Sequence, residues 1–228
     1  MKRVVEPEYM DALPPEDPRA QRERADLRRV NFWMGNGRIL RHALEQSAHT
    51  PPRRIVELGC GDGTLMLNIV RKWKSRPSAA DIVLVDQQNV VSGQTLDGFR
   101  ELGWRPEVVA QDVFGYLEEI VPCDCMVANL FLHHFQDEEL ARLFELAARQ
   151  TRSFIACEPR RLRYARAARR SLWLIGCSPV TRHDAEISIR AGFCNTELSS
   201  LWPHASAWQL QEHSAGLFSH CFVARKVS

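Results

Sequence analysis

The chain has 228 residues, 30 of them Lys or Arg and 28 Asp or Glu, for a net charge of +2. That length suits one full-sized domain with a modest appendage. A composition 45% hydrophobic and 25% charged excludes a disordered or fibrous chain and needs no disulfide or metal as a staple. Charge this close to zero gives no general reason to bind nucleic acid or an anionic membrane. The basic residues are nonetheless skewed: only Lys2, Lys72, Lys74 and Lys226 are Lys, and the other 26 are Arg.

No apolar run approaches the ~20 residues that a membrane-spanning helix needs. The first residues, MKRVVEPEYMDALPPEDP, lack the apolar core of a secretory signal. The seven Cys are an odd number with no Cys-x-x-Cys spacing. This predicts buried free thiols in a reducing cytoplasm and no metal site.

In chain order, residues 1–17 are rich in Pro and acid and are expected to lie along the surface without regular structure. From Asp17-Pro18 the apolar spacing turns helical through Ala25, Leu27, Val30, Phe32 and Trp33. Gly35-Asn36-Gly37 breaks it before a second helix from Arg38 to about Ser47. Beyond Thr50-Pro51-Pro52, strand patterns at 53–58, 81–86, 106–111, 123–129 and 152–158 alternate with helical ones at 63–74, 89–102, 114–120 and 137–150. Apolar strands alternating with helices predict an α/β fold, a doubly wound parallel sheet covered on both faces. Residues 160–176 read as a helix, and a short one opens at Glu197 with Asn195 as N-cap. Strands at 206–212 and 217–225 are joined by a short turn, so they pair antiparallel and complete a seven-stranded sheet.

The stretch Glu57-Leu58-Gly59-Cys60-Gly61-Asp62-Gly63 leaves the first strand and enters the first core helix. Glycines there let the backbone approach a ligand, and the helix N-terminus offers unpaired N–H groups. The spacing departs from the Gly-x-Gly-x-x-Gly of dinucleotide loops, and Glu57 just ahead would repel a pyrophosphate but attract an amino group. Asp86 ends the second strand, where a carboxylate can accept both hydroxyls of a ribose. Asp112 ends the third, suited to an exocyclic adenine amine while the Val113 N–H meets the ring. The three acids fall at carboxyl ends of parallel strands, where open α/β sheets bind ligands.

These residues, with Asn129-Leu130-Phe131-Leu132-His133-His134-Phe135, resemble the class I S-adenosylmethionine-dependent methyltransferases over residues 53–158. Asp26 to Trp33, Arg182-His183-Asp184 and Ser188-Ile189-Arg190 look like a bacterial subgroup acting on small molecules. The resemblance implies a Rossmann-like fold with an antiparallel terminal hairpin and S-adenosyl-L-methionine as cofactor. Glu57, Gly59, Cys60, Gly61 and Gly63 would hold its methionine portion. Asp86 would take the ribose, Gln87, Asp112 and Val113 the adenine, and Asn129 would lie near the transferable methyl. It divides the chain into a helical lid over 1–50 and a catalytic domain over 51–228, with a substrate-side insert at 159–195.

Methyl transfer needs alignment of the reacting atoms and exclusion of water, and a base only where the acceptor must lose a proton. The candidates are His133 and His134 after the fourth strand, Glu158 at the end of the fifth and His183 beside Asp184. His133 is preferred over His134, the two being expected to point in different directions. Glu158 would contact substrate or pair with an Arg, and His183-Asp184 would orient the acceptor or simply form a turn. Tyr9, Met10 and Trp33 would form an apolar lid or pack in the core. The expected activity is O-methylation of an aromatic or polyketide-like small molecule, with the oligomeric state left open. Six arginines from Arg160 to Arg170, three of them (Arg163, Arg166, Arg170) on one helical face, support an alternative acting on RNA or protein. A third alternative is a non-catalytic partner subunit that only binds the cofactor.

Overall fold

The computed structural model describes residues 2–10, 13–47, 51–73, 79–161 and 172–227. Two helices come first. α1 (Pro18–Met34) starts where the Asp17 carboxylate accepts from the Arg19 N–H at 2.8 Å and Pro18 supplies its fixed φ. It ends at Gly35, whose φ of 73° is the left-handed turn that glycine tolerates. α2 (Asn36–Ser47) follows.

The alternating region is β1 (Arg54–Leu58), α3 (Thr64–Lys72), β2 (Ala80–Asp86), α4 (Gly93–Glu101), β3 (Trp104–Ala110), α5 (Val113–Glu119), β4 (Cys123–Asn129), α6 (Asp137–Gln150) and β5 (Thr151–Pro159). α7 (Pro179–Ala191), α8 (Glu197–Leu201), β6 (Trp208–Ala215) and β7 (Ser219–Lys226) complete it. The sheet order is β3-β2-β1-β4-β5-β7-β6, parallel from β3 to β5, with β7 antiparallel to β5 and to β6. This is the doubly wound Rossmann-like sheet with a terminal hairpin that the pattern predicts. β3 begins two residues earlier than expected. Pro106 is accommodated because β3 is an edge strand, where a missing N–H costs no ladder bond.

Two cores cover the two faces. On one, Leu40 and Leu44 of α2 pack with Ile55, Met66, Ile69, Ile82, Leu84 and Phe99. On the other, Phe144, Phe154, Trp202, Trp208 and Phe222 form an aromatic cluster between α6 and the hairpin. The seven thiols are free, and all but the half-buried Cys194 are buried. No described helix is long and apolar enough to cross a membrane.

Several local expectations are corrected. The buried stripe of α1 is Ala20, Glu23, Asp26 and Val30, while Phe32 and Trp33 face out. The N-terminal segment does more than run over the surface. Arg3 donates to the Ala191, His133 and Phe135 carbonyls and pairs with Asp137, which brings Glu8 into a buried position. The helix expected from Arg160 does not start there: Arg160 forms a bridge to Phe193, and Arg161 is buried against Glu197 and the Gly192 carbonyl. The remainder of that stretch, with Arg163, Arg166, Arg169 and Arg170, lies outside the described residues. α7, capped by the Ser178 hydroxyl, was not foreseen. α8 has Thr196 rather than Asn195 as N-cap, and Asn195 takes a left-handed φ of 56° just ahead of it.

Candidate active site

The strand order reverses between β1 and β4, and ligands of open α/β sheets bind at such a point outside the carboxyl ends. There the loops after β1, β2, β3 and β4 open into a cavity of roughly 1240 Å³, bounded on its far side by α1, α7 and the Glu8–Met10 segment. One drug-sized ligand uses roughly 300–1,000 Å³, so the space admits a cofactor and a second molecule together.

The glycine loop forms the floor. Gly59 and Gly61 take φ values of 67° and 54°. A Cβ at Gly59 would sit 2.2 Å from the Phe131 ring, whereas one at Gly61 would meet nothing within 4 Å. Gly59 is therefore fixed by packing and Gly61 by its open approach to the cavity. Gly63 faces Leu84 and Thr95 instead, and serves the seating of α3 on β2. Cys60 lines the cavity, and burial pushes its thiol up, so it stays protonated.

Glu57 is 2% exposed, and its Oε2 has no hydrogen-bond partner among the described residues. Burial, then the neighbouring Asp62 and Asp86 charges, push its carboxyl well above the usual range. A buried, unsatisfied carboxylate is costly, and a cationic amino group in the cavity would satisfy it. Asp86 accepts from the Gly61 N–H at 2.9 Å and the Gln88 N–H at 3.0 Å, and a carboxylate retains further lone pairs for hydroxyls. Asp112 caps α5 through the Phe114 and Gly115 N–H groups and lies 3.4 Å from the Gln87 amide. Gln87 and Val113 line the cavity directly.

At the opposite end, Asn129 is held in an asparagine network. Its Oδ1 accepts from Asn36 and its Nδ2 donates to Asn31, both at 3.0 Å, while Asn36 Oδ1 accepts from Ser219 at 2.8 Å. This ties the α1–α2 junction to the end of β4. Arg28 of α1 likewise pairs with Asp62 of the glycine loop.

His133 and His134 lie side by side, with ring centroids 4.3 Å apart and planes at 33°, and both line the cavity. They do not point apart, because a 3₁₀ turn at Leu132–His134 brings them together. Both ring nitrogens of His133 are engaged: Nδ1 with Glu158 at 2.8 Å and Nε2 with Glu8 at 3.3 Å. Burial works against its charged form, but the hydrogen bonds and charges of Glu158 and Glu8 prevail and push His133 up to about 9. Glu158 is fully buried behind His133 and also accepts from the Phe131, Leu132 and His133 N–H groups. It therefore anchors this loop, where the sequence had suggested a substrate contact or an Arg pair. His183 is exposed and packs edge-on against Tyr9, away from the cavity. Adjacent residues on a helix point about 100° apart, and it is Asp184 that faces in.

Signals for several further residues were present but unread. Glu23, Asp26 and Asp184 are buried beside the cavity, with Asp26 holding Ser178 and Thr181. Burial, then the Asp184 carboxylate, push Glu23 up to about 8. Acids at helical spacing inside the buried stripe of α1 are the mark that could have found them. Glu8, Asn31 and Asn36 carry no such mark.

Residues 55–153 match the family model described as a methyltransferase domain. This stretch carries the pattern of a methyltransferase domain, and the chain around it is similar to the class I S-adenosylmethionine-dependent methyltransferases in fold. The fold is shared by the plantazolicin methyltransferase BpumL in complex with SAH (TM-score 0.64, 12% identity, 93% of this chain and 92% of that one). It is shared too by the magnesium protoporphyrin IX methyltransferase ChlM of Synechocystis PCC 6803 with bound SAH (0.56, 12%, 96% and 91%). A putative O-methyltransferase from Nostoc punctiforme PCC 73102 aligns at 0.57 and 15% identity over 84% of this chain and 56% of that one. No curated protein sequence matches the chain. The unsatisfied Glu57 oxygen and the open face of Gly61 would fit the amino-acid portion of S-adenosylmethionine, which when bound supplies an electrophilic methyl on a sulfonium.

Proposed function

We propose that this methyltransferase acts on a hydroxyl of a small aromatic or polyketide-like molecule, with residues 1–50 as a lid over the site. The observation that carries this reading is the large cavity at the carboxyl ends of the strands. One end is the Glu57–Gly61 loop, and the other is an apolar wall of Phe131, Phe135, Leu172, Ile175 and Ile189 beside the His133–His134 pair. In this reading Glu57, Gly59, Cys60 and Gly61 hold the methionine portion of the cofactor and Asp86 its ribose. Gln87, Val113 and, through Gln87, Asp112 frame the adenine. Asn129 then borders the reacting centre, and the lid helices exclude water, which aligns the acceptor without competing hydrolysis. Removal of the acceptor proton falls to the His133–His134 end. His133 is committed to two carboxylates, so it positions and His134 is nearer the role of acceptor contact.

Arg161 is buried in an ion pair with Glu197, while the Arg163, Arg166 and Arg170 face that motivates the RNA or protein alternative lies outside the described residues. Incubation with labelled S-adenosylmethionine and a host extract, with mass identification of the product, tests the reading. The expected product is a small molecule labelled at oxygen; label in RNA or protein would overturn it. S-adenosylhomocysteine should bind in calorimetry and lose binding in Gly61→Arg.

A further inference from the structure

We propose that Glu8, His133 and His134 form a binding site for one divalent transition-metal ion at the acceptor end of the cavity. The inference rests on the reading of that end as the acceptor site and deepens it. Each of the three side chains offers one donor atom, and these atoms lie within 4.8 Å of one another.

Two imidazoles and a carboxylate are a donor set that suits zinc, iron or nickel and disfavours magnesium, which prefers oxygen ligands alone. Two ligands about 2.1 Å from one ion at a tetrahedral angle stand about 3.4 Å apart. His133 Nε2 and Glu8 Oε1 are 3.3 Å apart, so an ion can seat between them without moving either backbone. All three donor atoms lie within 4.8 Å of one another, so the His134 donor has to close to about 3.4 Å from the other two for a tetrahedral ion.

The second observation is the support behind the ligands. A metal-bound histidine donates its other ring N–H to a carboxylate or carbonyl, which fixes its tautomer and its direction. Glu158 does this for His133 Nδ1 at 2.8 Å, and is itself fixed by three backbone N–H groups of the same loop. Ser188 of α7 donates to Glu8 and orients the third ligand. His133 therefore presents Nε2 to the cavity from a rigid mount.

An ion with open positions here would draw in the acceptor hydroxyl and lower its pKa, as a Lewis acid does for bound water. The step it assists is a deprotonation. The O–H proton passes to water and the electron pair stays on oxygen, so no oxidant or reductant enters. Because Glu8 belongs to the N-terminal segment, the ion would also fasten that segment over the site.

The test is calorimetric titration of metal-stripped full-length protein with Zn²⁺ and with Mg²⁺, and visible spectroscopy with Co²⁺ as a probe of ligand geometry. The expected result is one Zn²⁺ per chain, no Mg²⁺ binding, and Co²⁺ bands typical of mixed N/O coordination. Glu8→Gln and His134→Asn should each weaken Zn²⁺ binding at least tenfold. Absence of stoichiometric Zn²⁺ binding, or binding unchanged in both variants, would overturn the site. Circular dichroism on the variants reports folding, and S-adenosylhomocysteine binding measured on the same samples separates the two hypotheses. Retained cofactor binding without metal refutes the metal site alone. Loss of both refutes the methyltransferase reading as well.

Discussion

Glu57 shows how one residue carries both a cost and a function. Its Oε2 has no hydrogen-bond partner among the described residues, and a cationic group in the cavity would satisfy it. Glu57→Gln should weaken S-adenosylhomocysteine binding by about 10–100-fold, the loss of a charge-assisted hydrogen bond. The ligand-free variant should melt no lower than the wild type at pH 8, which calorimetry with thermal denaturation checks. Glu23 gives a pH dependence. Its folded pKa of about 8 lies above the ordinary carboxylate value. Its contribution is therefore full below about pH 4.5 and lost as pH rises through about 8. Glu23→Gln mimics the protonated form, so thermal melts from pH 6 to 9 should show a flatter decline than wild type. A parallel decline in both proteins would refute this.

At the scale of elements, the junction of β5 and α7 decides where the acceptor wall stands. The Phe193 N–H donates to the Pro159 carbonyl at 2.9 Å, and Arg161 N–H to Phe193 at 3.0 Å, so the end of α7 is stitched to the end of β5. Gly192 lies within this stitch, and a Cβ there would sit 2.2 Å from the Pro159 carbonyl oxygen. Gly192→Ala must push the two apart, at a cost of about 1–3 kcal/mol, and should lower Tm. It should also raise the KM for the acceptor more than the cofactor Kd, because α7 borders the acceptor end. The asparagine network at the α1–α2 junction acts similarly. Asn36→Leu keeps the volume but orphans Asn129 and Ser219, and unsatisfied buried groups cost about 1–3 kcal/mol each.

Across the whole molecule, the largest aromatic packing gathers where α6 meets the β5–β7 side of the sheet. The aromatic cluster lies far along the sheet from the glycine loop, towards the hairpin. Phe222, fully buried, packs 5.5 Å from Trp202 and 5.8 Å from Phe144 between ring centroids. Phe222→Ala should cost about 3–5 kcal/mol and lower Tm by about 10 °C. Cofactor affinity below that Tm should be unchanged. The N-terminal segment and α1–α2, in contrast, are joined to the sheet edge by polar contacts: Arg28 to Asp62, Asn31 and Asn36 to Asn129, Arg3 to the His133 loop. Such contacts are individually worth about 1 kcal/mol, a scale that suits the proposed role of this segment as a lid.

How much could be read in advance follows from the range of each interaction. The parallel strands, the glycine loop and the acids at strand ends were legible because periodicity and turn chemistry are local. Glu57, Gly61, Asp86 and Val113 accordingly stand where the pattern put them. α7 was missed because Ser178-Pro179 opens a helix whose buried face holds Thr181, Asp184 and Ile187, too polar to show as a stripe. His133 and His183 could not be told apart by residue type. Which one is buried and which faces water depends on the turn after β4 and on the rotation of α7. By itself the sequence determined the sheet and its glycine loop, since those are set by neighbours in the chain. Only the tertiary structure decided that Glu8 meets His133 across 125 residues, because no local preference encodes where a distant segment comes to rest.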